Sequence, residues 1–134
     1  MKSDRKGWRG YVASRPILGQ RTAQHVQNIV IRDHCRRHGL YYLLGAVEYT
    51  MPACYMMLED IVAEMPCLEG IVAYSLFMLP VDAARRRLFW DRMLACNARF
   101  HAALEDMIIA DADDIARAED LILVKTYLHQ VGIA

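Results

Sequence analysis

Ser14 and Arg15 follow the apolar residues Tyr11, Val12 and Ala13, and Glu48 and Tyr49 follow the apolar run Leu40 to Val47. Gln20, Arg21 and His25 come soon after the first pair. A serine hydroxyl near a carboxylate can serve a reacting or recognised hydroxyl, so Ser14 and Glu48 are the candidate catalytic residues. Guanidinium groups near a helix start can grip a phosphate or carboxylate through paired N–H donors. On that ground Arg15 and Arg21 are candidate ligand contacts, with Gln20, His25 and Tyr49 beside them. Structural roles are open for the same residues: Ser14 can end a strand by bonding backbone, Glu48 can pair with Arg15 or Arg21, and His25 can stand on a helix surface.

The elements that must position these groups follow from the pattern. Pro16 biases Arg15 toward extended backbone, Gly19 permits a sharp reversal, and Thr22 can cap a helix from about Ala23 to His38 that Gly39 closes. Gly10 to Ser14 is the first strand. Leu40 to Val47 is apolar throughout rather than alternating, which predicts a strand buried on both faces. A helix over Ala53 to Met65 turns Tyr55, Met56, Leu58, Ile61 and Val62 inward, and Pro66 stops it. Gly70 to Met78 is a third strand. Asp82 can cap a helix whose stripe runs through Leu88, Phe89, Met93, Cys96, Phe100 and Leu104. Met107 to Ala110 is a fourth strand, followed by a last helix to about Gln130. This β-α-β-α-β-α-β-α order predicts a single three-layer α/β domain, a four-stranded, mainly parallel sheet with helices on both faces. Ligands bind such sheets outside the carboxyl ends of the strands, where Ser14, Arg15, Glu48, Tyr49 and residues 75–78 are expected to converge.

Composition bounds the rest. With 134 residues, 55% hydrophobic and 24% charged, the chain suits one domain. Residues 1–8 read as a flexible lead-in. Neither a signal core nor a membrane-length apolar run is present, so a cytoplasmic protein without membrane contact is expected. Cys35, Cys54, Cys67 and Cys96 are widely spaced and read as packed, reduced thiols. Residues 1–40 hold nine Lys/Arg against two Asp/Glu, which leaves seven against fourteen in the remainder, so a neutral total hides a basic first third. Nucleic acid, a phosphorylated small molecule or an acidic partner chain could each use that field. Asp111, Asp113 and Asp114 suit a helix start without a cation. His34 and His38, spaced i and i+4, could share a metal, but no third ligand is evident and none is expected. No phosphate-loop, dinucleotide-binding or zinc-ribbon motif occurs, so no cofactor is expected. Ile115, Leu121, Ile122, Leu123, Val124 and Leu128 exceed one helix stripe, which predicts a homo-oligomer through the last helix.

Two resemblances bear on function. The sequence passing from the first strand to Ser14, through Val26-Gln27-Asn28, to Glu48 and on through Gly70-Ile71-Val72-Ala73-Tyr74-Ser75-Leu76, resembles the catalytic domain of serine recombinases. That likeness would make Ser14 a DNA-attacking nucleophile. The family's arginine two residues before the serine is replaced by Val12, and its Asp-Arg-Leu-x-Arg run by Phe77-Met78-Leu79-Pro80-Val81, so the likeness implies fold and not recombination. Gly10-Tyr11-Val12-Ala13-Ser14-Arg15-Pro16-Ile17, Gln24-His25-Val26-Gln27-Asn28, Ile31-Arg32-Asp33 and Glu48-Tyr49-Thr50-Met51-Pro52 resemble the sporadic carbohydrate cluster proteins of bacterial surface-polysaccharide gene clusters. This second likeness implies an accessory role in lipopolysaccharide or capsule biosynthesis, binding or modifying a small anionic sugar or nucleotide-sugar. The alternatives are an interaction subunit of a carbohydrate enzyme and a DNA-binding recombinase relic. Nucleic acid is the less expected partner, because residues 41–134 are acidic.

Overall fold

A computed structural model describes residues 5–51 and 53–132. Five strands, β1 (Trp8–Ala13), β2 (Tyr42–Glu48), β3 (Gly70–Ala73), β4 (Arg99–Ala102) and β5 (Met107–Ile109), form one sheet in the order β2-β1-β3-β4-β5. The first four run parallel, and β5 pairs antiparallel with β4 at the edge. The helices are α1 (Gln24–His38), α2 (Met56–Glu64), α3 (Ala83–Ala95) and α4 (Ala112–Gln130). The step from β1 to β2 and the return past β1 to β3 go in opposite directions along the sheet. Right-handed crossings therefore place α1 on one face and α2 and α3 on the other. The α/β class and the mainly parallel sheet are as predicted, with one strand more than expected.

That extra strand is β4. Cys96, Phe100 and Leu104 repeat at helical spacing, and the sequence reading carried α3 through them. In the structure Asn97 adopts a left-handed backbone (φ 54°) just after the helix, and Phe100 and His101 are buried in a strand. Leu88 and Leu104, expected in the core, are exposed. Met56 is likewise exposed, because α2 begins at that residue rather than at Ala53. The run Leu40–Val47 was read as buried on both faces, yet β2 is an edge strand with Leu44 and Val47 exposed. An apolar run does not say on which side its neighbours lie. The third strand ends at Ala73, and Leu76–Met78 form a 3-10 turn that Ser75 caps through its side chain.

The chain ahead of β1 is tied down from Arg5 on. The Arg5 guanidinium donates to the carbonyls of Leu68, Cys96 and Asn97, and the Lys6 N–H to Cys67. Residues 5–8 of the lead-in expected over 1–8 are therefore held rather than flexible; residues 1–4 lie outside the described residues, as does Pro52 of the predicted loop. Trp8, 5% exposed, packs edge-on to His101 with ring centroids 4.5 Å apart. Gly70 lies beneath that indole, where a Cβ would collide with the Trp8 ring and with the Arg99 carbonyl of the adjacent strand. Gly39 closes α1 in a left-handed backbone, and Asp82 and Asp111 cap α3 and α4 by accepting from Arg85 and Asp114 N–H groups. The acidic start of α4 is therefore capping chemistry. Among the described residues the cysteines are free thiols, and no helix is long and apolar enough to cross a membrane.

Candidate functional site

The segment after β1 folds as a tight hairpin turn. Ile17 and Gln20 exchange backbone hydrogen bonds of 2.7 and 3.0 Å around Leu18 and Gly19, both at positive φ (49° and 79°). Two consecutive left-handed residues are what a type I′ turn requires, and Gly19 supplies one without strain. Thr22 does not cap α1: the capping position is Ala23, without a side-chain bond. Gln27, 0% exposed, holds the loop instead. Its amide accepts from the Ala13 N–H (3.2 Å) and donates to the carbonyls of Ala13 (2.5 Å) and Thr22 (2.8 Å). A buried amide that extends a strand's hydrogen bonding has no sequence signature beyond its helical position.

Glu48 ends β2 at 2% exposure. Its Oε1 accepts from the Tyr11 hydroxyl (2.8 Å) and Leu58 N–H (3.1 Å), and its Oε2 from Met57 N–H (3.0 Å) and Tyr49 N–H (3.1 Å). Burial works to raise this carboxyl, but the bonds from Met57, Tyr11, Leu58 and Tyr49 outweigh it and hold the group below the usual carboxylate range. Burial, then the bond to Glu48, push the Tyr11 phenol far above its ordinary range. Glu48 thus anchors the start of α2 and fixes Tyr11, its acceptor sites occupied by the protein.

Arg15 stands over this anchor. Its guanidinium donates to the carbonyls of Cys54 (2.9 Å) and Met78 (3.3 Å) and to the Tyr11 hydroxyl (3.4 Å), and it covers the Tyr55 ring at 4.6 Å. Arg85 from the first turn of α3 lies 5.0 Å from the same ring. Both arginines line a cleft of about 540 Å³, with Asp82 at the start of α3 and apolar walls from Ile17, Phe77 and Pro80. No carboxylate pairs with Arg15 among the described residues, whereas Arg85 reaches the exposed Glu59 at 3.2 Å.

The predicted convergence is thereby divided. Ile17, Leu18 and Phe77 border the arginine cleft on one side and a second cavity of about 410 Å³ on the other. Gln20 lines the second cavity, near Ser75, Glu105, Lys125 and His129. Arg21, His25 and Tyr49 are exposed and line neither. Ser14 is half-buried and likewise lines neither cavity. Sequence reasoning missed Glu105, and for the run Arg85-Arg86-Arg87 at the start of the third helix it leaves an oxyanion contact and a solvated face equally open. Glu105 accepts from the Ser75 hydroxyl (2.7 Å) and Leu76 N–H (2.9 Å). The placement of Arg85 in the first turn of α3, where the helix dipole disfavours cations, is the signal for an anion there.

A separate cluster joins α1 to β4 and the turn that follows it. His34 Nε2 lies 2.8 Å from His101 Nδ1, and His34 Nδ1 lies 3.4 Å from Asp106 Oδ1. His38 Nε2 is 3.2 Å from the same oxygen. Burial, then the neighbouring His34, hold His101 down to about 3; burial and His38 likewise lower His34.

No family model and no curated protein matches the chain. Solved structures share its fold. The N-terminal catalytic domain of TP901-1 integrase superposes with a TM-score of 0.64 at 10% identity, covering 92% of this chain and 98% of that one. A resolvase family site-specific recombinase from Streptococcus pneumoniae superposes with a TM-score of 0.61 at 7% identity, covering 92% and 91%. The carbohydrate-cluster resemblance gains no support from these comparisons. The chain has the fold of serine recombinase and integrase catalytic domains.

Proposed function

We propose that the protein binds a small phosphate-bearing ligand in the cleft between Arg15 and Arg85, on a recombinase-type fold used for recognition rather than strand exchange. The observation that carries this reading is the pair of guanidinium groups 4.6 and 5.0 Å from one tyrosine ring centroid, beside the N-terminus of α3, in a cleft of about 540 Å³. That volume is within the range of small-molecule sites, and helix N-termini with arginines favour anions. Binding is preferred to catalysis because the Glu48 carboxylate is saturated by five protein donors, the Cys54 thiol being the longest at 3.8 Å, which leaves it no role as a base. Ser14 is not among the residues lining this cleft and is given no part in the binding. Nucleotide-sugars are the first ligands to examine, given the sequence likeness to carbohydrate-cluster proteins.

The test is calorimetric titration of nucleoside diphosphate sugars, nucleoside monophosphates and inorganic phosphate into wild type, Arg85→Gln and Arg15→Lys. The expected result is binding weakened about tenfold or more by Arg85→Gln, equivalent to one charge-assisted contact of ~1.5 kcal/mol. Arg21→Gln and His25→Gln should leave it unchanged. Equal affinity in wild type and Arg85→Gln, or no binding by any phosphate compound, ends the proposal. The fold neighbours favour a second reading, a relic that binds duplex DNA. Its signature is affinity that falls steeply and linearly in log–log form with salt, and little sensitivity to Arg85 alone.

A further inference from the structure

Two rings of α1, His34 and His38, face the turn between β4 and β5, where Asp106 presents its carboxylate. His34 is 0% exposed and its Nδ1 is buried without a hydrogen-bond partner, although Asp106 Oδ1 is only 3.4 Å away. A buried nitrogen left unpaired beside a carboxylate is costly in either tautomer. With the proton on Nδ1, a donor is aimed off its acceptor. With the proton on Nε2, donated to His101 Nδ1 at 2.8 Å, the Nδ1 lone pair faces a carboxylate oxygen and the two repel. A cation between them removes the conflict. We propose that His34 Nδ1, His38 Nε2 and Asp106 Oδ1 form a site for a divalent transition metal, best suited to zinc.

Distances support the assignment. Zinc holds imidazole nitrogen at about 2.0–2.1 Å and carboxylate oxygen at about 2.0–2.2 Å, so tetrahedral ligands stand about 3.3–3.5 Å apart. The two contacts to Asp106 Oδ1, 3.4 Å from His34 and 3.2 Å from His38, match that spacing, and the three ligand atoms all lie within 4.8 Å of one another. The hydrogen bond from His34 Nε2 to His101 orients the first ring, the outer-shell arrangement that metal-bound histidines use. The ligand set is two nitrogens and one oxygen, which leaves a fourth position for water or an added ligand. Arg37, held by Asp33, comes within 3.9 Å of Asp106 Oδ1 and competes with the metal for it. A metal here would clamp α1 to the β4–β5 turn, two segments nearly seventy residues apart in the chain.

The experiment is titration of the full-length, chelator-treated protein with Co2+, followed by its visible ligand-field absorption, then displacement by Zn2+ against a competing chelator. One equivalent giving a tetrahedral-type spectrum is expected. His38→Gln and Asp106→Asn, both at partly exposed positions that the fold does not depend on, should weaken binding tenfold or more, and Arg37→Gln should strengthen it. His25→Gln, an exposed histidine outside the cluster, should change nothing. A wild-type protein without the tetrahedral spectrum, or affinity unchanged in both His38→Gln and Asp106→Asn, overturns the proposal. Because Arg15 and Arg85 are not involved, failure here leaves the anion cleft standing, and the reverse holds.

Discussion

Removing the Glu119 carboxylate should destabilise the protein at least as much as removing it together with its partner. Arg86 is 7% exposed and donates through Nε and NH2 to the two oxygens of Glu119, both at 2.8 Å, and through NH1 to the carbonyls of Pro80 (2.9 Å) and Val81 (2.8 Å). The Trp90 indole N–H donates to the same carboxylate at 2.8 Å. Breaking a buried pair by deleting one partner costs about 3–5 kcal/mol, and the lower end applies because the Glu119 side chain is 29% exposed. Glu119→Leu should therefore lose about 3 kcal/mol, a large part of the roughly 5–15 kcal/mol of a domain, and lower Tm by ~12 °C. Arg86→Met should cost a similar amount. The double variant removes both charges and leaves the two carbonyls and the indole to be satisfied by water, so it should lose only about 2–3 kcal/mol. The resulting coupling is about 3 kcal/mol in urea denaturation of the four proteins. Because Pro80 and Val81 line the arginine cleft, ligand binding should weaken in both single variants. Additive losses, or a Glu119→Leu cost under about 1 kcal/mol, would refute this reasoning.

Two further outcomes follow from the fold. Glu48→Gln turns an amide NH2 toward backbone donors and should cost about 1–3 kcal/mol at neutral pH by urea denaturation. The wild-type carboxyl is held below its ordinary 4.5, so its contribution is complete above that pH and fades as pH falls through the lower folded value. The difference between wild type and Glu48→Gln should accordingly narrow in acid; a constant gap would contradict it. Gly70→Ala drives a methyl into the Trp8 ring and the Arg99 carbonyl and should cost at least about 2 kcal/mol, seen as a lowered thermal midpoint with altered tryptophan fluorescence.

The sequence carried the alternation of strands and helices, because apolar runs and caps such as Asp82 and Gly39 act locally. It also carried the position of Arg15 at a strand's end, since Pro16 and Gly19 constrain the backbone there. It could not carry β4, whose Phe100 continues a helical spacing, nor the edge position of β2, which depends on strand order. Asp106 could not be joined to His34 and His38 from sequence, because only tertiary structure closes that separation. Arg85 shares its run with Arg86 and Arg87, yet one faces a cleft, one the half-buried Glu119 carboxylate and one solvent.

The reversed direction of β5 has an electrostatic consequence. A helix after a parallel strand starts at the carboxyl edge of the sheet, as α3 does, and offers that edge its positive end. Since β5 runs the other way, α4 starts at the far edge and delivers its final turns, with Lys125 and His129, to the hollow beside Gln20. The helix terminus there carries about half a negative charge, and Glu105 and Lys125 set one charge of each sign beside it. The wall of Ile17, Leu18 and Phe77 thus separates two adjoining chambers, one set against the positive end of α3 and the other against the negative end of α4.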